Sequence, residues 1–470
     1  MIGLLIGMAV YIVALGHWPA AIFVAIGSLA ATRWLGWRML LPAGAALAAA
    51  WWIAMALPPA IPGTEPMTQG WRLHVESMPQ LRRQGWSFEA RVIDGEVAGF
   101  RLLVYTSDTE PVVVGDRIYV YGELIPRDEI FDSYGQYLDG RGVSGQLYVG
   151  NVTVDQPGTG ILPEINRIRQ ETVRKLILAV PGDAGALLAG LVTGDDGQLS
   201  ERSDDSFRNA GLSHLTAVSG ANLGMLVVMV TATGQVMGRR RMTVLVAGTL
   251  AAWMYAVFVG LSPPTLRAAL LTSVLASGRL AGRPIDMLLL AFTTAAMQIA
   301  IRPLDAYSIS FHLSTAASIG LAAGLNRYPA RERRPRLADL VVVTFFAQIA
   351  TLPLVAATFG TVPMLAVMAN VVAVPLASFA FTVAMAGAAL LWVSASLGQA
   401  LLIPAGWAAE GVLGAARLYG QSWGVIDHVT LGPFWMAAGL FAAFVVLLHA
   451  GGDLALARAQ FRLERAKSAP

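Results

Sequence analysis

The residues with the most chemistry to offer stand where an apolar chain least favours them. From Asp204 the sequence reads Asp-Asp-Ser-Phe-Arg-Asn-Ala-Gly-Leu-Ser-His-Leu-Thr-Ala-Val-Ser-Gly-Ala-Asn-Leu-Gly, ending at Gly224. An apolar run from Gly211 onward thus carries His214, Thr216, Ser219 and Asn222. Arg267 follows Ser262-Pro263-Pro264-Thr265-Leu266, and Asp286, Arg302, Asp305, His312, Gln348 and Asn370 punctuate later apolar stretches. A polar or ionisable side chain inside lipid is costly, so each is a candidate for a polar transport path. The plainer alternative is helix packing through small residues and interhelical hydrogen bonds. Arg267, about one turn inside its helix, either snorkels to an interface or meets a phosphate at a pore mouth. Arg302 and Asp305 read as an ion pair, and Asn370 as the cap of a broken helix.

Hydrolytic chemistry has little to work with. Ser219 and His214 are the one tempting nucleophile and base, yet five positions along a straight helix turn them about 140° apart. No Gly-x-Ser-x-Gly elbow surrounds the serine. The chain has no cysteine, and its six histidines (His17, His74, His214, His312, His428 and His449) are scattered singly. No metal centre, iron–sulfur cluster or other cofactor is expected. The glycine-rich stretch Gly190–Gly197 lacks the lysine of a nucleotide-binding loop. The chain is expected not to be an enzyme.

What must position these residues is a membrane bundle. Hydrophobic residues make up 56% of the 470 and charged ones 13%, about half the charge of a soluble domain. Hydropathy marks spans near 2–15, 20–32, 39–57, 211–236, 242–260, 264–278, 285–301, 306–325, 340–357, 371–393, 399–419 and 434–449, about twelve in all. The first two are read as a tight pair turning at Gly16-His17-Trp18-Pro19. The short, proline-interrupted stretch 359–370 reads as re-entrant. Met1–Leu15 lacks a basic leader region and reads as a first membrane helix, not a signal peptide. Arginines cluster after the second, fourth, sixth, eighth and last of these spans: Arg33 and Arg38, Arg239–Arg241, Arg279 and Arg283, Arg327–Arg336, then Arg458–Lys467. The positive-inside rule makes that side cytoplasmic, with both termini on it.

Residues 64–157 are different. Short alternating runs at 86–93, 100–105, 112–124 and 143–149, separated by turn signals, predict about five strands in a small OB-like β-barrel outside the cell. Residues 161–180 follow with helical spacing, either lying on the membrane surface or packed on the barrel. The β unit carries eight arginines against fourteen acidic residues, which argues against a simple electrostatic funnel for nucleic acid. With Phe88, Phe100, Leu102, Ile118, Val120 and Leu124 inward, however, Arg91, Arg101, Tyr105, Tyr119 and Tyr121 share the outer face with Glu89 and Glu123. Arginine interleaved with tyrosine is how single strands are held by stacking. An ordinary solvated face, or one packed on the membrane core, is the alternative.

Several ordered motifs resemble the ComEC-type competence family. Gly211-Leu-Ser-His-Leu-Thr-Ala-Val-Ser-Gly220 is similar to its GLSHLLAVSG signature, and Ser262-Pro-Pro-Thr-Leu-Arg-Ala-Ala269 to its proline–arginine element. Pro303-Leu304-Asp305 with Ser310-Phe-His-Leu-Ser314, Asn370 with Pro375, and Phe131-Asp-Ser-Tyr-Gly-Gln-Tyr-Leu138 follow in family order. His312 stands in the usual Gln place, and Ala221-Asn222 replace the family's Leu-His after Ser-Gly, which puts in doubt any role needing an imidazole there. The resemblance implies an inner-membrane channel passing single-stranded DNA during natural transformation. It divides the chain into N-terminal membrane helices (1–57), an extracytoplasmic OB-like unit (64–157), amphipathic and linker helices (161–200), a competence-type channel domain (204–450) and a basic cytoplasmic tail (451–470). The metallo-β-lactamase-type nuclease domain that often accompanies it has no counterpart here. Implied partners are single-stranded DNA, the bilayer, an external DNA receptor, a separate nuclease and a cytoplasmic helicase-like motor. A transporter of a small solute or envelope precursor is the competing reading.

Overall fold

The computed structural model describes residues 2–35, 40–61, 66–83, 85–108, 110–130, 132–216, 218–282, 285–327, 336–421 and 424–426. The span expected at 434–449 lies outside them, as do much of the arginine cluster at 327–336 and the basic tail.

The chain opens with α1 (Ile2–Leu35) and α2 (Leu40–Ala56). The turn expected at Gly16–Pro19 is absent: the backbone stays helical through all four residues. In apolar surroundings a broken helix would leave backbone N–H and C=O groups unpaired, which outweighs the weak helix preference of Gly and Pro. The continuous helix removes one span before the β unit. It also removes the parity by which alternation placed the N-terminus beside the arginines.

Next come β1 (Met67–Val75), β2 (Gln80–Leu81), β3 (Trp86–Val92), β4 (Arg101–Thr106), β5 (Arg117–Pro126), α3 (Asp132–Arg141) and β6 (Gly145–Gln156). The sheet order is β1-β5-β6-β4-β3, with β3 returning to β1 and β2 appended to β3. Five long strands therefore close a small barrel, in which β4–β6 is the parallel pair. Alternation drives it: in β5, Ile118, Val120 and Leu124 are buried while Arg117, Tyr119, Tyr121 and Glu123 are exposed. Trp71, Leu73, Phe88, Leu102 and Leu147 fill the interior. A Cβ at Gly122 would stand 2.1 Å from the Tyr148 carbonyl oxygen, so glycine is what lets β5 and β6 approach at their bulge.

Three helices connect barrel to bundle: α4 (Ile161–Ala179), α5 (Asp183–Thr193) and α6 (Glu201–Asn209). Then follow α7 (Gly220–Val236), α8 (Arg241–Phe258), α9 (Pro263–Leu280), α10 (Met287–Ile301), α11 (Ile309–Arg327), α12 (Arg336–Phe359), β7 (Val362–Pro363), α13 (Ala366–Leu391), α14 (Ala395–Tyr419) and β8 (Val425–Ile426), which pairs with β7. Among the described residues α8 and α13 are long and apolar enough to cross a membrane, and several shorter apolar helices accompany them. Apolar side chains also point outward: Val236 is 89% exposed, Val393 81% and Trp407 73%. Such a surface suits lipid rather than water.

The bundle holds two apolar cores. One joins α4, α5, α7, α8, α13 and α14; the other joins α1, α2, α10, α11 and α12. Helix α9 stands between the halves, touching α7 and α8 on one side and α10 and α11 on the other.

Candidate functional site

The seam beside α9 gathers several of the expected polar residues. Pro263 and Pro264 open this helix, where a missing N–H costs nothing. One turn in, the Arg267 side chain is buried, with Nη1 3.4 Å from Thr315 Oγ1 of α11 and Nε without a partner. Among the described residues no carboxylate pairs with it; Tyr11 of α1 lies within electrostatic range. The Tyr11 hydroxyl reaches the His312 carbonyl at 3.4 Å, and the His312 Nε2 lies 2.8 Å from the Ala306 carbonyl oxygen. Nearby, Gln298 donates to Asp305 (2.6 Å) and to the Pro263 carbonyl (3.1 Å). Arg302 pairs with Asp305 at 3.4 Å and donates to the Leu261 carbonyl at 2.5 Å. Arg267, Asp305 and His312 thus fall in one region around α9–α11, together with Gln298 and Thr315, which sequence reasoning passed over. Neither stood out because Gln and Thr are common in packed helices.

The remaining seam candidates do other work. Ser219 caps α7, its hydroxyl accepting from the Asn222 N–H at 3.4 Å and donating to Asn222 Oδ1 at 3.2 Å. Asn222 Nδ2 in turn donates to the Leu191 carbonyl of α5 at 3.2 Å. The span expected from Gly211 therefore begins as a helix only at Gly220; before it, Leu212, Leu215 and Val218 are buried in the core. Gly211 has φ +71°, and a Cβ there would stand 2.8 Å from the Ala366 Cβ. His214 is exposed on a 3-10 turn and is not hydrogen-bonded to Ser219. Asp286 caps α10 through the Leu288 and Leu289 N–H groups. Gln348 is half-buried on α12, with no hydrogen bond joining it to the others. Asn370 caps no broken helix: its amide donates to the Ala366 carbonyl at 2.8 Å inside the unbroken α13. The stretch read as re-entrant is a helix end, a turn at Gly360 (φ +65°), β7 and a helix start. A single positive-φ glycine suffices to end α12 there.

On the barrel the five expected contacts divide. Tyr119 and Tyr121 are exposed, at 44% and 63%. Tyr105 is engaged: its ring stacks on Tyr148 (5.4 Å between centroids) and its hydroxyl meets that of Tyr134 at 2.8 Å. Arg91 and Arg101 are ion-paired to Glu76 at 2.5 and 2.7 Å, and Arg101 and Arg141 to Glu89 at 3.1 and 2.7 Å. Burial works against ionisation of Glu76, yet Arg91 and Arg101 hold its carboxyl below the usual carboxylate range. Any phosphate arriving here competes with two carboxylates for three guanidiniums. Tyr137 and Tyr148, at 41% and 45% exposure, extend the aromatic surface beyond what alternation revealed; Tyr137 sits on α3 under Arg141.

Among the described residues, three contacts moor the barrel to the bundle and its connecting helices. The α3 helix packs on the 3-10 turn Pro303–Tyr307 that carries Asp305. The segment 76–83, which includes β2, packs on the chain between α5 and α6. There the fully buried Arg169 of α4 donates to the carbonyls of Thr193 (2.9 Å) and Pro79 (3.1 Å) and pairs with Asp195 at 3.5 Å. Asp195 also accepts from the Leu81 N–H at 3.2 Å. Helix α4 meets the barrel as well, through Gln170 to the Val112 carbonyl (2.7 Å) and the Val114 N–H to Asn166 (3.0 Å), while Ile161 and Leu178 remain exposed.

The Competence protein family model matches residues 191–452, more than half of the chain and the whole region around α9. The chain belongs to this family. It is similar to ComE operon protein 3 of Bacillus subtilis (strain 168), with 25% identity over 243 residues, covering 50% of this chain and 31% of that protein. It is also similar to competence protein ComA of Neisseria gonorrhoeae, with 25% identity over 332 residues, 66% of this chain and 46% of that one. The chain thus spans less than half the length of either curated relative. No solved structure matches it. Within the family match lie Ser219, Arg267, Asp305, His312 and Asn370, whereas the barrel precedes it. No cluster of three or more potential metal ligands occurs among the described residues.

Proposed function

We propose that this competence-family protein forms the conduit through which one strand of DNA crosses the cytoplasmic membrane during transformation. The observation that carries the reading is Arg267. A guanidinium buried between two halves of an apolar bundle, with no carboxylate paired to it among the described residues, is a costly arrangement, and it suits a site that a passing phosphate neutralises and then leaves. Conduction needs sites that release as well as bind. The barrel packs near the Arg302–Asp305 end of α9, while Arg279 and Arg239–Arg241 lie at the opposite ends of their helices. That separation supports an external barrel and a cytoplasmic arginine face. A helicase-like motor inside, a nuclease and an external receptor complete the assembly as separate polypeptides.

Deletion of the gene in a naturally transformable host tests this. DNA capture outside the cell should persist while entry of labelled strand into the cytoplasm stops. Normal strand entry in the deletion strain would reject the conduit and favour a solute or envelope-precursor transporter.

The barrel supplies the first contact through its exposed tyrosines. Each stacked base contributes ~1–3 kcal/mol. Replacing both Tyr119 and Tyr121 with Ala in the full chain, held in lipid nanodiscs, should weaken binding of a single-stranded oligonucleotide at least about fivefold. Unchanged affinity would remove these two residues from the path.

A further inference from the structure

A groove of about 480 Å³ opens between α7, α8 and α9 at the ends remote from the barrel. Arg239, Arg241 and Arg279 line its mouth, Val244, Leu245 and Leu275 its depth, and Val228 its open side. No acidic residue lines it, and none of Arg239, Arg240, Arg241 or Arg279 enters an ion pair among the described residues. The hydroxyls of Thr231, Thr249 and Thr272 in its wall are already spent on carbonyls of their own helices. Gln235 apart, the wall is therefore apolar in effect and the mouth strongly cationic. The first turn of α8 adds to this, since no side chain caps its N-terminal N–H groups.

We propose that this groove binds an anionic phospholipid, with the headgroup phosphate on Arg239, Arg241 and Arg279 and an acyl chain along Val228, Leu245 and Leu275. Charge complementarity selects an anion, and the apolar depth selects one that carries a hydrocarbon tail. The surroundings point the same way: Val228, Leu250 and Met254 beside the groove are 64%, 57% and 73% exposed, so it opens sideways onto a lipid-facing surface. Basic pockets between helices at the cytoplasmic face hold lipid headgroups in this manner. The assignment stands on this groove and does not depend on what the bundle transports.

The test uses the full chain, purified and delipidated in mild detergent, with binding followed by native mass spectrometry and thermal shift. Phosphatidylglycerol and cardiolipin should bind and raise the melting temperature; phosphatidylcholine should not. The R239Q/R241Q/R279Q variant should lose affinity for both anionic lipids at least about tenfold, while R239K/R241K/R279K retains most of it. Leu245→Trp, which fills the groove, should weaken lipid binding with the arginines intact. Equal binding of phosphatidylcholine, full protection by inorganic phosphate alone, displacement of the lipid by a single-stranded oligonucleotide, or undiminished lipid affinity in the glutamine variant would overturn the assignment.

Discussion

Arg267→Met is expected to stop strand entry while leaving the protein folded. A charge-assisted hydrogen bond is worth ~1.5–3 kcal/mol, so its loss at a step every nucleotide must pass should lower entry at least about tenfold. The measurement is uptake of labelled DNA in a transformable strain, with protein level in the membrane followed alongside. Met has similar length and no charge, and it relieves the cost of burying an unpaired guanidinium. The variant should therefore melt at or above the wild-type temperature, a split that a merely structural arginine would not show. Arg267→Lys keeps the charge and should recover part of the activity. Wild-type entry with Arg267→Met at normal abundance would remove the central residue of the proposal.

Asp195→Ala should be the most destabilising single change at the joint between barrel and bundle. Removing one member of a buried ion pair leaves the other charge uncompensated and costs about 3–5 kcal/mol. Here the loss also strips the Leu81 N–H of its acceptor and loosens the loop that Arg169 grips through Pro79. Asp195→Asn retains an oxygen for Leu81 and should cost less. The double replacement Arg169→Met with Asp195→Leu should restore much of the stability. Denaturant unfolding in detergent micelles reads all three; a change under about 1 kcal/mol for Asp195→Ala would show that the pair does not hold the joint.

Apolar periodicity made α8–α14 legible to within about five residues at either end, and alternation did the same for β3 to β5. Failures came where local pattern and tertiary context disagree. In β1 only the second half alternates, because Thr68, Gln69 and Gly70 are all exposed. Helix α3 contains Gly135 and Gly140, poor helix formers that its packing overrides. Arg169 is one of four cations on α4, with Arg167, Arg174 and Lys175, and nothing local sets it apart; its burial depends on Asp195, 26 residues later, in a glycine-rich stretch notable in the sequence mainly for its missing lysine. The seam shows the same division. Arg267 and Asp305 could be singled out because charge in an apolar run is costly wherever it points. Ser219 and Asn222 could not be assigned, since one hydroxyl and one amide serve equally as a helix cap or as a pore lining. Glu76 and Glu89 were visible, but their hold on Arg91, Arg101 and Arg141 depends on strand register.

The barrel closes on itself and leaves only short stretches of open edge, the first half of β1 and the two-residue β2 among them. Each of its five long strands has hydrogen-bonded neighbours on both sides over part of its length, because β1 meets β5 along the strand and β3 at Leu73–Val75. Among the described residues the barrel therefore offers no full-length open edge for another polypeptide to dock by lending a strand, the route that open sheets offer to pili, chaperones and aggregating copies. A partner of this unit is then recognised chiefly through side chains, and the barrel can stand crowded against its own neighbours with little edge to zip onto.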